Sequence, residues 1–499
     1  MSGVKRLAGA ALGALLLAGP ALAAPTASLS PEARTAARFE AAAGNRAQLR
    51  LFLRAMPKGG DLHNHLVGAA YAEDFLAWAD ADGLCVTTGP LPVIAAGPCD
   101  APGKVPAKDL GKTNPALYGR AINALSMRNY HPGADGAAPS GHDQFFSTFN
   151  RFETVTGGNL PGLLAVARDQ AAGDAVLYVE TSVNPSAMAD LVALARNIPW
   201  DGDMAKALAV LEPGIPAMTA KARQQFDAAE AEADRRQGCL AQKPRTGPCA
   251  VALGYQAFAV RILPPNVVFA QLTAAFALAD YALHMRMLQF LHARYPEVKL
   301  SLHAGELTQG LVAPRELRFH IRQAVEVAGA RRIGHGVDIA YEDDAPALLA
   351  RMARDKVAVE VNLTSNDVIL GVKGGDHPLA LYRQAGVPFV LSTDDEGVSR
   401  IDLTNEYLRA VTEQGLGYGD LKAAARASLE YAFLPGPSLW TAPRTPVAAC
   451  ARPGPACDAF LAGSRKAAAQ WRLEREFEAF EGGGRTVATP PTVVIPEAS

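Results

Sequence analysis

Four short stretches carry residue types that metal and acid–base chemistry uses. The first is His63-Asn64-His65, at the end of an apolar run. Residues i and i+2 on a strand point to one face, so both imidazoles can reach a single ion. The second is Ser301-Leu302-His303-Ala304-Gly305-Glu306. An apolar run enters His303, and a small-residue turn brings Glu306 back over the same place. That spacing suits a metal ligand followed by an acid/base. The third is Arg332-Ile333-Gly334-His335-Gly336, where glycines on both sides of His335 let the backbone approach a ligand closely. The fourth is Leu391-Ser392-Thr393-Asp394-Asp395. Two adjacent carboxylates are unfavourable without a cation or a donor between them, and a metal on Asp394 resolves that.

Each stretch has a plainer reading alone: a core histidine, an acid in the first turn of a helix, a turn histidine, a helix cap. Their joint appearance, in order, at four expected strand ends is harder to explain that way. Three histidines and one carboxylate suit Zn²⁺, with a position left for water.

The elements that would position them are short apolar runs separated by helical stretches. Eight runs are predicted as strands: Asp61–Leu66, Val176–Ser182, Val251–Leu263, Asn266–Thr273, Val298–His303, Arg332–His335, Val357–Leu363 and Val387–Asp394. Alternation of this kind implies a parallel sheet, and eight strands fit an α/β fold of the (β/α)8 barrel class. Such barrels place their chemistry at strand ends. The barrel domain is expected over residues 56–475, after an N-terminal helical segment at 24–55. Ser30-Pro31 reads as the start of a helix there. Long insertions are expected at about 82–140, 200–250 and 435–462, and a flexible tail at 476–499.

With 48 basic and 50 acidic residues, the net charge is near zero. No basic stripe marks a nucleic-acid surface. Lys5 and Arg6 precede an apolar run to Leu17, and Ala21-Leu22-Ala23 forms an A-x-A site. Residues 1–23 therefore read as a signal peptide cleaved after Ala23. The expectation is an exported protein, periplasmic or secreted, with no membrane attachment after cleavage. Six cysteines fall in three local pairs, Cys85 with Cys99, Cys239 with Cys249 and Cys450 with Cys457. In an exported chain these suggest loop-stapling disulfides, the sequential pairing being preferred among fifteen.

The stretch Met56–Leu66 (MPKGGDLHNHL) resembles the opening strand of the adenosine deaminases, a family of metal-dependent hydrolases. SLHAGE at 301–306, RIGHG at 332–336 and STDD at 392–395 resemble its later signatures, in order. Glu360–Asn366 (EVNLTSN) and His377-Pro378 resemble its seventh-strand segment and the following turn. The resemblance covers about residues 50–435. The leader and paired cysteines resemble the secreted branch, the adenosine deaminase growth factors. The resemblance implies that His63, His65, His303 and Asp394 bind one Zn²⁺. It implies that Glu306 protonates the purine ring nitrogen N1. His335 would orient and help deprotonate the attacking water. Asp395 would receive a hydrogen bond from the purine N7 side.

The implied activity is hydrolytic deamination of a 6-aminopurine nucleoside, with a small molecule as partner and neither nucleic acid nor membrane. A raised pKa is expected for Glu306, which must be protonated when it acts. Val67 stands where the family usually has an Asp that contacts the ribose 5′-hydroxyl. Val268–Thr273 lacks the family's purine-contacting Gly, and Glu396 stands where Pro is commonest. Two other readings stay open. One is a barrel amidohydrolase acting on another aminated heterocycle. The other is a non-catalytic binding or signalling protein on a deaminase scaffold, against which intact Glu306 and His335 argue.

Overall fold

The computed structural model describes residues 29–131, 140–260, 263–278, 285–442 and 445–483. The expected signal peptide lies outside the described residues, as does the tail beyond residue 483.

Among the described residues, seven parallel strands form the centre of the molecule: β1 (Gly59–His65), β2 (Val176–Ser182), β3 (Ala252–Gln256), β4 (Ser301–Ala304), β5 (Arg332–His335), β6 (Ala358–Val361) and β7 (Phe389–Leu391). They pair in the order β1-β2-β3 and β7-β6-β5-β4. The two groups meet at a seam between β1 and β7. There the His65 amide donates to Asp394 O at 3.0 Å, and the Asp394 amide donates to His63 O at 2.8 Å. Thr393 Oγ1 also donates to Asp61 Oδ2 at 2.5 Å. Parallel strands need crossovers, supplied here by helices packed around an apolar core. The architecture is α/β, of the (β/α)8 barrel class.

One expected strand is corrected. Asn266–Thr273 lies inside a helix, Pro265–Leu278. Pro265 opens that helix, and the run continues through alanines well past strand length. Val268, Phe269, Leu272 and Ala275 of it are buried. A second helix, Met285–Arg294, follows before β4. Among the described residues no strand stands between β3 and β4. The third strand is also shorter than expected, ending at Gln256 rather than Leu263.

The N-terminal helices Pro31–Ala43 and Arg46–Ala55 begin at side-chain caps, Ser30 and Asn45. They pack with the last helix, Arg465–Glu481, through edge contacts among Phe39, Phe52 and Phe480. That helix continues beyond the expected tail boundary because Leu473, Phe477 and Phe480 form an apolar stripe buried against the core.

The first insertion folds as a small antiparallel sheet of Cys85–Thr87, Ile94–Ala95 and Lys104–Pro106, followed by the helix Pro115–Ala124. Its Val86, Ile94, Leu117 and Ile122 join a hydrophobic cluster with Leu66 and Val398, the residues that follow β1 and β7. The insertion is thereby anchored beside the strand ends where the candidate chemistry lies. The three disulfides form in the sequential pairing, Cys85–Cys99, Cys239–Cys249 and Cys450–Cys457. Among the described residues no helix is long and apolar enough to cross a membrane.

Candidate active site

All seven candidate residues gather at the C-terminal ends of the strands. His63 and His65 end β1, His303 lies in β4 and His335 ends β5. Asp394 and Asp395 follow β7, and Glu306 follows β4. Barrel enzymes use this same end for chemistry.

The Nε2 atoms of His63 and His303 are 3.1 Å apart, and those of His65 and His303 are 3.3 Å apart. Asp394 Oδ1 lies 3.5 Å from His63 Nε2 and 3.4 Å from His65 Nε2. A tetrahedral zinc with bonds of about 2.0–2.1 Å sets donor–donor edges of about 3.3 Å. These four separations match that edge, and all four donor atoms lie within 4.8 Å of one another. The electrostatics agree. Burial alone would lower the His63 pKa, but Asp394 and Glu360 beside it raise it to about 10. Burial brings His65 down to about 4 and His303 well below its usual range. The pocket thus calls for positive charge next to Asp394. A divalent cation meets that demand with all three imidazoles neutral.

Behind the ligands stands a buried support that pattern reading did not assign. Glu360 Oε2 accepts a hydrogen bond from His63 Nδ1 at 2.7 Å, which turns the His63 Nε2 lone pair towards the metal position. Ser301 Oγ donates to the other Glu360 oxygen at 2.7 Å, and the Arg332 guanidinium is paired with it. Arg332 also reaches Glu180 at 2.6 Å. Glu360 fell within the EVNLTSN segment of the resemblance. Its role there depends on contacts far apart in sequence.

His335 is fully buried, with Nε2 3.6 Å from Glu306 Oε2 and 3.8 Å from Asp394 Oδ2. Burial lowers its pKa to about 3, so the imidazole is neutral. Among the described residues no group hydrogen-bonds its Nε2. Glu306, His335 and Asp394 form a second convergence of donor atoms beside the first. Both His335 and Asp394 hold positive φ, 71° and 62°, which is costly for side-chain-bearing residues and concentrates at functional sites. Asp395 is buried as well, with Oδ1 unpartnered among the described residues, and burial next to Asp394 pushes its carboxyl well up.

Gly334 of the third motif has a different use from the one expected. A Cβ on Gly334 would come within 2.6 Å of His63 Cε1. Gly334 makes room for a ligand-bearing ring, not for a substrate. Gly68 plays the same part for Asp395, whose carboxylate occupies the space a Cβ would need. Val67 lies beside it in the short helix Leu66–Ala69, half-buried against the first insertion's cluster. The Gly-free stretch Val268–Thr273, being helix, does not stand in place of a purine-contacting strand.

The adenosine deaminase family model matches residues 163–439, more than half of the chain. An adenosine deaminase of Serratia proteamaculans is 37% identical over 146 residues, covering 29% of this chain and 41% of that protein. One of Shewanella denitrificans is 35% identical over 146 residues, with the same shares. The chain thus aligns with about two fifths of the length of these curated relatives. Among solved structures, an adenine deaminase of Arthrobacter aurescens superposes with a TM-score of 0.50 at 15% identity. The match covers 85% of this chain and all of that one, a likeness of fold. With the family model spanning the strand ends that carry His303, His335, Asp394 and Asp395, the chain belongs to the adenosine deaminase family.

Proposed function

We propose that this protein is a zinc-dependent hydrolytic deaminase of a 6-aminopurine nucleoside, giving the 6-oxo product and ammonia. The observation that carries this reading is the convergence of His63, His65, His303 and Asp394 at zinc-like spacings, next to Glu306 and His335. When bound, zinc supplies Lewis acidity and a hydrolytic nucleophile at neutral pH. The residues of the chain do the rest. Glu306, on the turn after β4, gives its proton to N1 of the purine, which makes the neighbouring amine-bearing carbon electrophilic. Asp395, whose carboxyl burial and the neighbouring Asp394 push well up, donates to N7, an acceptor in the neutral purine, which reverses the direction the family resemblance implied for it. His335 fixes the position of the attacking oxygen.

The test is ammonia release from a panel of aminopurines and aminopyrimidines. Release is expected from 6-aminopurine nucleosides, lost on chelation and restored by Zn²⁺. Release only from other heterocycles would favour a different amidohydrolase. No release from any member would favour a non-catalytic role.

The nature of the sugar is a second part of the proposal. Val67 offers no acceptor for a ribose 5′-hydroxyl, and its side chain faces apolar company. A substrate without that hydroxyl, or with an apolar group in its place, is expected to be used at least as well as adenosine. Comparing kcat/KM for adenosine, 5′-deoxyadenosine and 5′-methylthioadenosine checks this. A strong preference for adenosine would count against it. We also propose export, as in the secreted branch of the family. Three disulfides and no free cysteine among the described residues support an oxidising compartment.

A further inference from the structure

The hydrogen-bond chain behind His335 has a direction that can be read from its far end. It begins at a backbone amide, which can only donate. The Leu379 amide donates to His377 Nδ1 at 3.2 Å. His377 is buried, and burial lowers its pKa to about 4, so the ring is neutral. Since Nδ1 accepts, the single ring proton of His377 is on Nε2. That nitrogen is 3.1 Å from Asn366 Oδ1, to which it donates. The Asn366 amide therefore cannot turn over, because its NH2 would then face an N–H. Its Nδ2 is held 2.9 Å from His335 Nδ1 and donates to it. The Asn362 amide nitrogen faces the same atom at 3.5 Å. His335 Nδ1 is thus an acceptor, and the proton of the neutral ring sits on Nε2. That is the atom left without a hydrogen-bond partner among the described residues and turned towards Glu306 and Asp394.

We propose that His377, acting through Asn366, is a positioning residue that locks His335 in the tautomer protonated at Nε2. If the deaminase reading is right, on which this consequence rests, His335 presents a hydrogen-bond donor to the attacking oxygen. This differs from the role that family resemblance implies for it. It also explains why the chain spends a buried histidine and two buried asparagines behind the ring. Undirected, a neutral imidazole in this pocket could present either nitrogen.

The deciding measurement is long-range ¹H–¹⁵N correlation NMR of the full-length, Zn²⁺-supplemented protein labelled with ¹⁵N-histidine. His335 is identified by the signals lost in His335→Gln. A protonated Nε2 and a pyridine-like Nδ1 are expected. A proton on Nδ1 would overturn the proposal, and this readout needs neither turnover nor a folded His377 variant. A failed deaminase reading would leave it unaffected.

Variants test the relay itself. His377→Leu removes the donor to Asn366 and is expected to mix the tautomers. It should lower kcat about tenfold, the scale of an outer-shell partner, with KM within about twofold. His377→Gln, whose amide can still donate to Asn366 Oδ1, should restore most of the loss. A His377→Leu protein with an unmixed Nε2–H signal would refute the relay. So would a KM effect larger than the kcat effect.

Discussion

Replacing Glu306 by Gln is expected to lower kcat by about 10²–10⁴-fold, the range a positioned acid contributes. The substitution keeps the shape of the side chain and removes its transferable proton. Glu306 is not one of the four atoms at zinc-like spacing, so metal content, read by elemental analysis after dialysis, should stay at the wild-type level. KM should change little, because protonation of N1 develops in the transition state and not in the bound ground state. The combination separates this residue from the ligands, whose removal should lower metal content and activity together. A Gln variant within about tenfold of wild type would remove Glu306 from the mechanism. Another acid would then have to reach N1.

The convergence of the four proposed metal ligands was legible in sequence for a geometric reason. Parallel strands of a barrel end on one face, so residues at those ends converge whatever their separation in the chain. His63 and His303 are far apart in sequence, and their Nε2 atoms are 3.1 Å apart in the fold. The order of the motifs and the identity of the residues sufficed to place them. The local cysteine pairs were legible too, because each loop is short enough for its ends to meet with few competing partners.

What stayed hidden depends on tertiary placement. Asn266–Thr273 reads as a strand when its apolar run is cut at strand length. It folds as a helix because alanines extend the run and the opening prolines favour a helix start. Gly334 reads as a backbone approaching a ligand, yet its partner is the ring of His63, a neighbour only after folding. Asn366 and His377 had a visible signal, the EVNLTSN and His-Pro segments. Their function is a proton direction set by the Leu379 amide, which no spacing rule reveals. The same holds for Glu360 and Arg332. A buried carboxylate on an apolar strand signals a partner, without saying which.

That partner sets the second large expectation, for Arg332→Met. Arg332 is fully buried and pairs with two buried carboxylates, Glu180 and Glu360. Its guanidinium also stacks over Phe433 at 3.8 Å and donates to Tyr431 O at 2.9 Å. Methionine roughly fills the space but leaves two carboxylates without their shared cation. Breaking a buried pair in this way costs about 3–5 kcal/mol, which urea or thermal unfolding at pH 7 should show. Zinc affinity should fall as well, by about 10–100-fold in competition with a chelator, because Glu360 orients His63. The pH dependence follows from Glu360. Burial would raise its pKa, but Arg332 and His63 more than offset this and bring it down to about 2. A depressed carboxylate adds stability above its unfolded value near 4.5, and that stability is lost as pH falls towards 2. Without Arg332 the depression shrinks, so the gap between wild type and Arg332→Met should be wide at pH 7 and should close as pH falls from 4.5 towards 2. Adding Glu360→Gln removes one stranded charge, so the double variant should lose less stability than the two single losses combined. Strict additivity would mean that Arg332 and Glu360 act independently, and that the metal site does not lean on this pair.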